Sequence, residues 1–423
     1  MFKIFKQNAF FKVLSLNGIS VFVSFVFGVI STKIVSVILG PQGMAFLGSF
    51  RNFSAMVKLT STLGINNSLV KLYIENKDDK KELSVIYSTF FWIFLGVSVI
   101  LSTIIVVFSS SISQLLFFSL QYGNYIKCFG ILIPFIVLNA FWLAIYNGLE
   151  QFKKIIYIQI TGNFFVFLVS VYLIYYHNIE GALLSIAVSE FILAIATFLF
   201  VCNDDDYFRF DLQKIISKKY YHIILKFSSM AVLSAIVVPL TLITIRNLIV
   251  ANHSVNDAGI WDGVTKFSNF YMVVFGSGLS LYYLPKLARL TTDFEFKNEL
   301  KFYFKFFIPF VFIVLCFVFF TRRMIVALAF TDEFDGINEV LIWQLSGDFV
   351  RMITLAFGYQ IVVKTMIKQY FFLEIIYNLT YLIITYFLVI QFSYFGALQA
   401  YFYANILALI MNLFVFRKLL YTK

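Results

Sequence analysis

The chain has 423 residues, 61% of them hydrophobic and only 13% charged, where a soluble domain carries about 25% charged residues. The apolar residues lie in long runs, which excludes a soluble globular protein and points to an all-α, polytopic membrane protein. A net charge of +11 would suggest nucleic acid as partner of a soluble chain; here it follows the topology, and no nucleic-acid partner is expected.

The start, MFKIFKQNAFF, has the basic beginning of a signal peptide, but the apolar run continues to Leu39 without a cleavage site. It reads as an uncleaved first helix. Hydropathy then predicts twelve spans, at 11–39, 44–69, 83–108, 124–147, 155–177, 181–202, 221–250, 258–284, 300–320, 338–362, 369–391 and 395–416. With both termini on one side, that side collects Lys3, Lys6 and Lys12, then Lys71, Lys77, Lys80 and Lys81, then Lys153 and Lys154. It continues with Arg209, Lys214, Lys218 and Lys219, with Lys286, Arg289, Lys297 and Lys301, with Lys364 and Lys368, and with Arg417, Lys418 and Lys423. The connections on the other side hold Arg322 and Arg323. The bias places both termini in the cytoplasm. The segment Asn203–Tyr220, with Asp204, Asp205 and Asp206, reads as a solvated linker between two halves.

The halves look like copies. Gly181-Ala182-Leu183 and Gly396-Ala397-Leu398 open spans 6 and 12 at an offset of 215; Gly43 and Gly259 differ by 216, and Lys71 and Lys286 by 215. Two six-helix bundles are expected, 1–208 and 209–423, as parallel copies about an axis along the membrane normal.

The stretch Gly259–Thr292 is the most informative. It is long enough to cross a bilayer yet carries Asp262 and Lys266. Each charge on a spanning helix costs roughly 2.5–3.5 kcal/mol on the insertion scale, so both need a polar place to point. Arg51 in span 2 lies about 12 Å below the outer end at 1.5 Å per residue, and the repeat maps it to within a residue of Lys266. Lys33 and Arg246 form a second related pair, in spans 1 and 7. Separate snorkelling fits charges near helix ends; four cations at related depths fit a shared basic cavity better. Such a cavity takes anions, and guanidinium groups match phosphate with paired hydrogen bonds.

Asp262 with Lys266, and Asp348 with Arg351, are four and three residues apart, so each pair shares a helix face. Mutual neutralisation and a role in ion coupling or gating both fit. Glu190 and Glu374 have no partner at helical spacing and either bind a coupling proton or pair across helices. The stripe Asn17, Ser20, Ser24, Gly28 and Ser31 on span 1 fits close helix packing or a cavity wall. Cys128, Cys202 and Cys316, and His177, His222 and His253, are scattered without disulfide or metal-ligand spacing. No nucleotide loop, metal-binding helix or nucleophile elbow is present, so no cofactor, metal or enzymatic chemistry is expected.

At these residues the chain resembles the Wzx-type polysaccharide flippases of the multidrug/oligosaccharidyl-lipid/polysaccharide (MOP) exporter superfamily, which include the O-antigen translocases and the lipid III flippase. The resemblance rests on Lys33 through Pro41 with Phe50-Arg51, on Gly259-Ile260-Trp261 through Tyr283-Leu284-Pro285, and on Trp343-Gln344-Leu345 with Gly347-Asp348. Phe357-Gly358-Tyr359, Lys364 and Glu374 complete it. It implies a MATE-like fold whose cleft is lined by spans 1, 2, 7 and 8, and transfer of an undecaprenyl-pyrophosphate-linked oligosaccharide across the bacterial inner membrane by alternating access. On that reading Arg51, Arg246, Lys33 and Lys266 bind the pyrophosphate and sugar, while Asp262, Asp348, Arg351, Glu190, Glu374 and Lys364 serve coupling or gating. Asp262 and Lys266 depart from the lipid III flippase pattern, which favours an O-antigen or related unit. An O-antigen polymerase and a chain-length regulator are the implied protein partners. A MATE-like small-molecule exporter is the alternative.

Overall fold

The computed structural model describes residues 2–63, 65–76, 79–204, 217, 220–279, 283–290 and 292–421. Asp205, Asp206, Arg209, Lys214, Lys218, Lys219, Lys77, Lys423 and the expected boundary at 208/209 lie outside the described residues, as do the side chains of Lys3, Lys6, Lys12, Asn17, Ser20, Lys71 and His222. Among the described residues every regular element is helical. The helices are α1 (Phe2–Ser61), α2 (Ile65–Glu75), α3 (Lys80–Val107), α4 (Ser109–Phe117), α5 (Gly123–Gly148), α6 (Phe152–Cys202) and α7 (Tyr221–Asn252). They continue with α8 (Val255–Gly278), α9 (Leu284–Arg289), α10 (Asp293–Phe302), α11 (Ile308–Ala329), α12 (Gly336–Val363), α13 (Ile367–Val415) and α14 (Arg417–Tyr421). A π-helical turn, Tyr303–Phe307, joins α10 to α11.

Among the described residues eight helical stretches are long and apolar enough to cross a membrane, so the chain is a multi-pass membrane protein. Three of them contain a sharp break: α1 at Gly40, α6 at Asn178 and α13 at Ser393, each with positive φ. Span 2 of the sequence reading, expected to reach 69, ends at Ser61; Leu63 adopts φ 47° and α2 follows separately. A turn of that hand cannot continue a right-handed helix.

The backbone repeats itself. Positive φ occurs at Glu150 and Thr365, and again at Asn178 and Ser393, each pair 215 positions apart. Three residues after each of the second pair stands a glycine, Gly181 or Gly396, against which the preceding helix presses a carbonyl, Leu173 or Leu388. A Cβ at either glycine would collide with that backbone, so the tight turn requires glycine at both places.

Contacts divide the chain into two units, Met1–Ile34 with Ser49–Pro239, and Val35–Gly48 with Leu240–Lys423. The first turns of α7 join unit 1 because Ser228 Oγ donates to the Leu63 carbonyl at 2.5 Å, while the preceding Tyr220 hydroxyl donates to Glu82. Pro239 ends that portion of α7. The segment 35–48 joins unit 2: the Ser36 Oγ accepts from the Thr331 backbone N–H at 2.7 Å, and Gly259 packs directly on the Pro41 backbone.

In unit 1, α5 packs against α2, α3 and α6. Its core holds Phe50 edge-on to Phe129 at 5.6 Å and a buried Thr197–Asn139 hydrogen bond of 2.6 Å. In unit 2, α12 packs against α8, α11 and α13. Cys128, Cys202 and Cys316 are free thiols on α5, α6 and α11.

Candidate functional site: charged groups on the spanning helices

In unit 2, α7 and α8 bring Arg246 and Asp262 edge to edge. Arg246 donates from Nε to Asp262 Oδ2 at 2.5 Å and from Nη2 to Oδ1 at 2.6 Å. Both are buried, at 2% and 7% exposure. The Trp261 ring lies 5.4 Å from the guanidinium carbon, a cation–π arrangement. Gly48 stands so close to Asp262 that a Cβ there would strike the carboxylate. The sequence pairs Asp262 with Lys266 on one helix; the structure gives Asp262 a bidentate partner on another. Lys266, one turn along α8, is half-buried.

Asp348 on α12 is fully buried and has a different solution. Its carboxylate accepts from Ser268 Oγ at 2.6 Å and the Tyr271 hydroxyl at 2.5 Å, both on α8. The Tyr401 hydroxyl of α13 adds a bond at 2.8 Å, and Gln344 Nε2, one turn back on α12, bridges both oxygens at 3.2 Å. Neutral donors therefore hold this carboxylate, in place of the ion pair with Arg351 that the spacing allows. Several donors converging on one carboxylate compensate much of the cost of burying its charge. Arg351 is exposed, and its electrostatic partners are Tyr401 and Tyr377, with Asp348 a smaller one.

In unit 1, Lys58 of α1 reaches Glu190 of α6 at 2.6 Å. The Glu190 Oε1 takes this bond, while Oε2 is buried with no hydrogen-bond partner. Arg51 is seven residues before Lys58 on α1, on the same helix face. Arg51 and Lys33 are both half-buried. Ser24 of the predicted small-polar stripe accepts from Asn163 of α6 at 3.2 Å, and Phe27 stacks on Phe167 at 4.8 Å, so this part of the stripe serves helix packing.

Two further candidates sit in unit 2. Lys364, just past the end of α12, donates to the Leu290 carbonyl at 2.9 Å, an anchoring bond at a helix end. Glu374 is half-buried on α13, and its carbonyl accepts from Asn378. The structure thus joins Arg246 with Asp262 and Lys58 with Glu190. It adds Ser268, Tyr271, Gln344, Tyr401 and Lys58, which sequence reasoning did not assign. The Gln344–Asp348 spacing of four and the Arg51–Lys58 spacing of seven were the available signals.

Comparison with known proteins follows the same lines. The chain is 25% identical to the lipid III flippase of Escherichia coli (strain K12) over 376 residues, covering 88% of this chain and 90% of that protein. The fold is similar to that of a multidrug resistance MATE family transporter of the MOP superfamily in an inward-facing conformation, with TM-score 0.77, 15% identity and coverage of 93% and 94% of the two chains. It is also similar to the lipid II flippase MurJ, with TM-score 0.76, 15% identity and coverage of 95% and 87%. The profile of the family described as polysaccharide biosynthesis protein matches residues 34–339, and the chain belongs to that family.

Proposed function

We propose that this protein moves a lipid-linked oligosaccharide between the leaflets of the bacterial inner membrane by alternating access. The observation that carries the reading is the set of cations on spanning helices, Lys33, Arg51 and Lys266, in a chain similar along most of its length to a lipid III flippase. Twelve crossings with both termini cytoplasmic fit the breaks at Gly40, Asn178 and Ser393 and the Lys/Arg bias. The repeated turns fit two duplicated six-helix halves near 1–208 and 209–423.

The cargo is an undecaprenyl-pyrophosphate-linked repeat unit, of the O-antigen or a related kind. Its pyrophosphate binds Lys33, Arg51 and Lys266, and competes with Asp262 for Arg246. That exchange replaces one anion by another on a buried guanidinium, so the charge is never left unpaired. Glu190, with one unpartnered buried oxygen, suits a coupling proton better than Asp348, whose two oxygens are already bonded. Asp348, Arg351, Glu374 and Lys364 act in gating. The prenyl tail stays in lipid, and no cofactor or enzymatic step is needed. A polymerase and a chain-length regulator are the expected neighbours in the membrane.

Complementation tests this. Expressed in a bacterium lacking its O-antigen flippase, together with the native sugar gene cluster, the chain restores surface polysaccharide. Arg51→Ala abolishes the display while leaving the protein in the membrane. Likeness to a multidrug transporter fold favours a second reading, a small-molecule exporter. Absent complementation combined with altered drug resistance would select it.

A further inference from the structure

Beyond the candidate site, α10 and the π-helical turn form an open groove of about 500 Å³ lined by Lys297, Leu300, Lys301, Phe304 and Lys305. The three lysines recur every four residues. In a regular α-helix such a row drifts around the axis, but the wider turn at Tyr303–Phe307 slows that rotation and returns Lys305 toward the others. The turn is fixed from inside: the buried Tyr303 hydroxyl donates to the Met352 carbonyl at 2.8 Å.

Nearby acids are largely engaged. Glu299 is bridged by Lys286 at 2.6 Å, and Glu295 caps α10 by accepting from the Thr292 N–H at 3.1 Å; Asp293 sits in the first turn. The short helix α14, which carries Arg417 and Lys418, packs against α10. From Phe306 in the π-helical turn an exposed apolar stripe runs along α11 at Phe310, Ile313, Phe317, Phe320 and Met324. Its spacing of three and four keeps these residues on one helix face.

We propose that this groove binds the phosphate headgroup of an acidic glycerophospholipid, with its acyl chains lying along the α11 stripe. The cations and the apolar track match the two ends of such a lipid. Among the described residues the lining is lysine and hydrocarbon, without arginine or a side-chain amide or hydroxyl. Lysine acts as a flexible point charge and reads charge more than shape, so bulk acidic lipid fits better than a sugar-bearing diphosphate. The assignment does not depend on the transport reading above.

The test reconstitutes the full chain in nanodiscs of phosphatidylcholine, with or without phosphatidylglycerol, and measures the thermal midpoint and retained phosphatidylglycerol by native mass spectrometry. Phosphatidylglycerol raises the midpoint of the wild type. Lys297→Gln/Lys301→Gln/Lys305→Gln loses that increment but matches the wild type in pure phosphatidylcholine. Retention falls about fivefold per lysine, which corresponds to ~1 kcal/mol each. The arginine triple variant at these positions keeps the increment. An unchanged increment in the glutamine variant overturns the proposal. So does stabilisation through these lysines by an added polyprenyl diphosphate with none from phosphatidylglycerol, which would make the groove a cargo site.

Discussion

Arg246 and Asp262 are sixteen positions apart in sequence and share two hydrogen bonds of 2.5 and 2.6 Å in the interior of unit 2. Removing the acid alone leaves a buried guanidinium uncompensated, which typically costs about 3–5 kcal/mol. Asp262→Ala is expected to lower the thermal midpoint and the membrane level sharply. Arg246→Met combined with Asp262→Leu is expected to recover most of the stability and none of the polysaccharide display. Recovery of display by the double variant would remove Arg246 from the cargo site.

Gly48 admits the same carboxylate. A methyl group there meets Asp262 inside contact distance, so Gly48→Ala is expected to destabilise by about 1–3 kcal/mol, in the range of overpacked cores. Combining it with Asp262→Ala relieves the clash, and the two effects are sub-additive in a double-mutant cycle of thermal midpoints.

Lys58 and Glu190 are expected to behave differently. The lysine side chain is 40% exposed and the glutamate 15%, so solvent screening reduces their coupling to about 0.5–1 kcal/mol. Glu190→Gln therefore leaves the fold nearly intact but is expected to weaken polysaccharide display if Glu190 carries the coupling ion. Wild-type display and unchanged ion dependence of transport in this variant would rule that role out.

The Asp348 cluster predicts graded losses. Tyr401→Phe and Tyr271→Phe each remove one donor from a buried carboxylate. Each is expected to cost about 1.5–3 kcal/mol, the range for hydrogen bonds to charged groups. The pair of substitutions together should cost other than the sum, because both act on one group.

The recurring turns at Gly181 and Gly396 give a paired test. Gly181→Ala and Gly396→Ala each drive a methyl group into a backbone carbonyl, of Leu173 and Leu388. Comparable losses of folded protein are expected for the two, measured as membrane yield and thermal midpoint. Tolerance of one and not the other would show that the halves no longer share the constraint.

The sequence by itself determined the helical, multi-pass membrane class, because hydropathy is summed over neighbours along the chain. It also carried the 215-residue repeat, which reappears in the left-handed turns at Asn178 and Ser393. Partner choice was decided only by tertiary structure. Helical spacing offers Lys266 to Asp262 and Arg351 to Asp348, yet Asp262 takes Arg246 from α7, and Asp348 takes hydroxyls from α8 and α13. Spacing along one helix fixes which residues share a face. Which side chains that face meets depends on the neighbouring helix and its register, and the desolvation cost of a buried charge then selects the partners that satisfy it best. The same holds for the segment 35–48, close in sequence to unit 1 but packed with unit 2 through Ser36, Gly48 and Pro41.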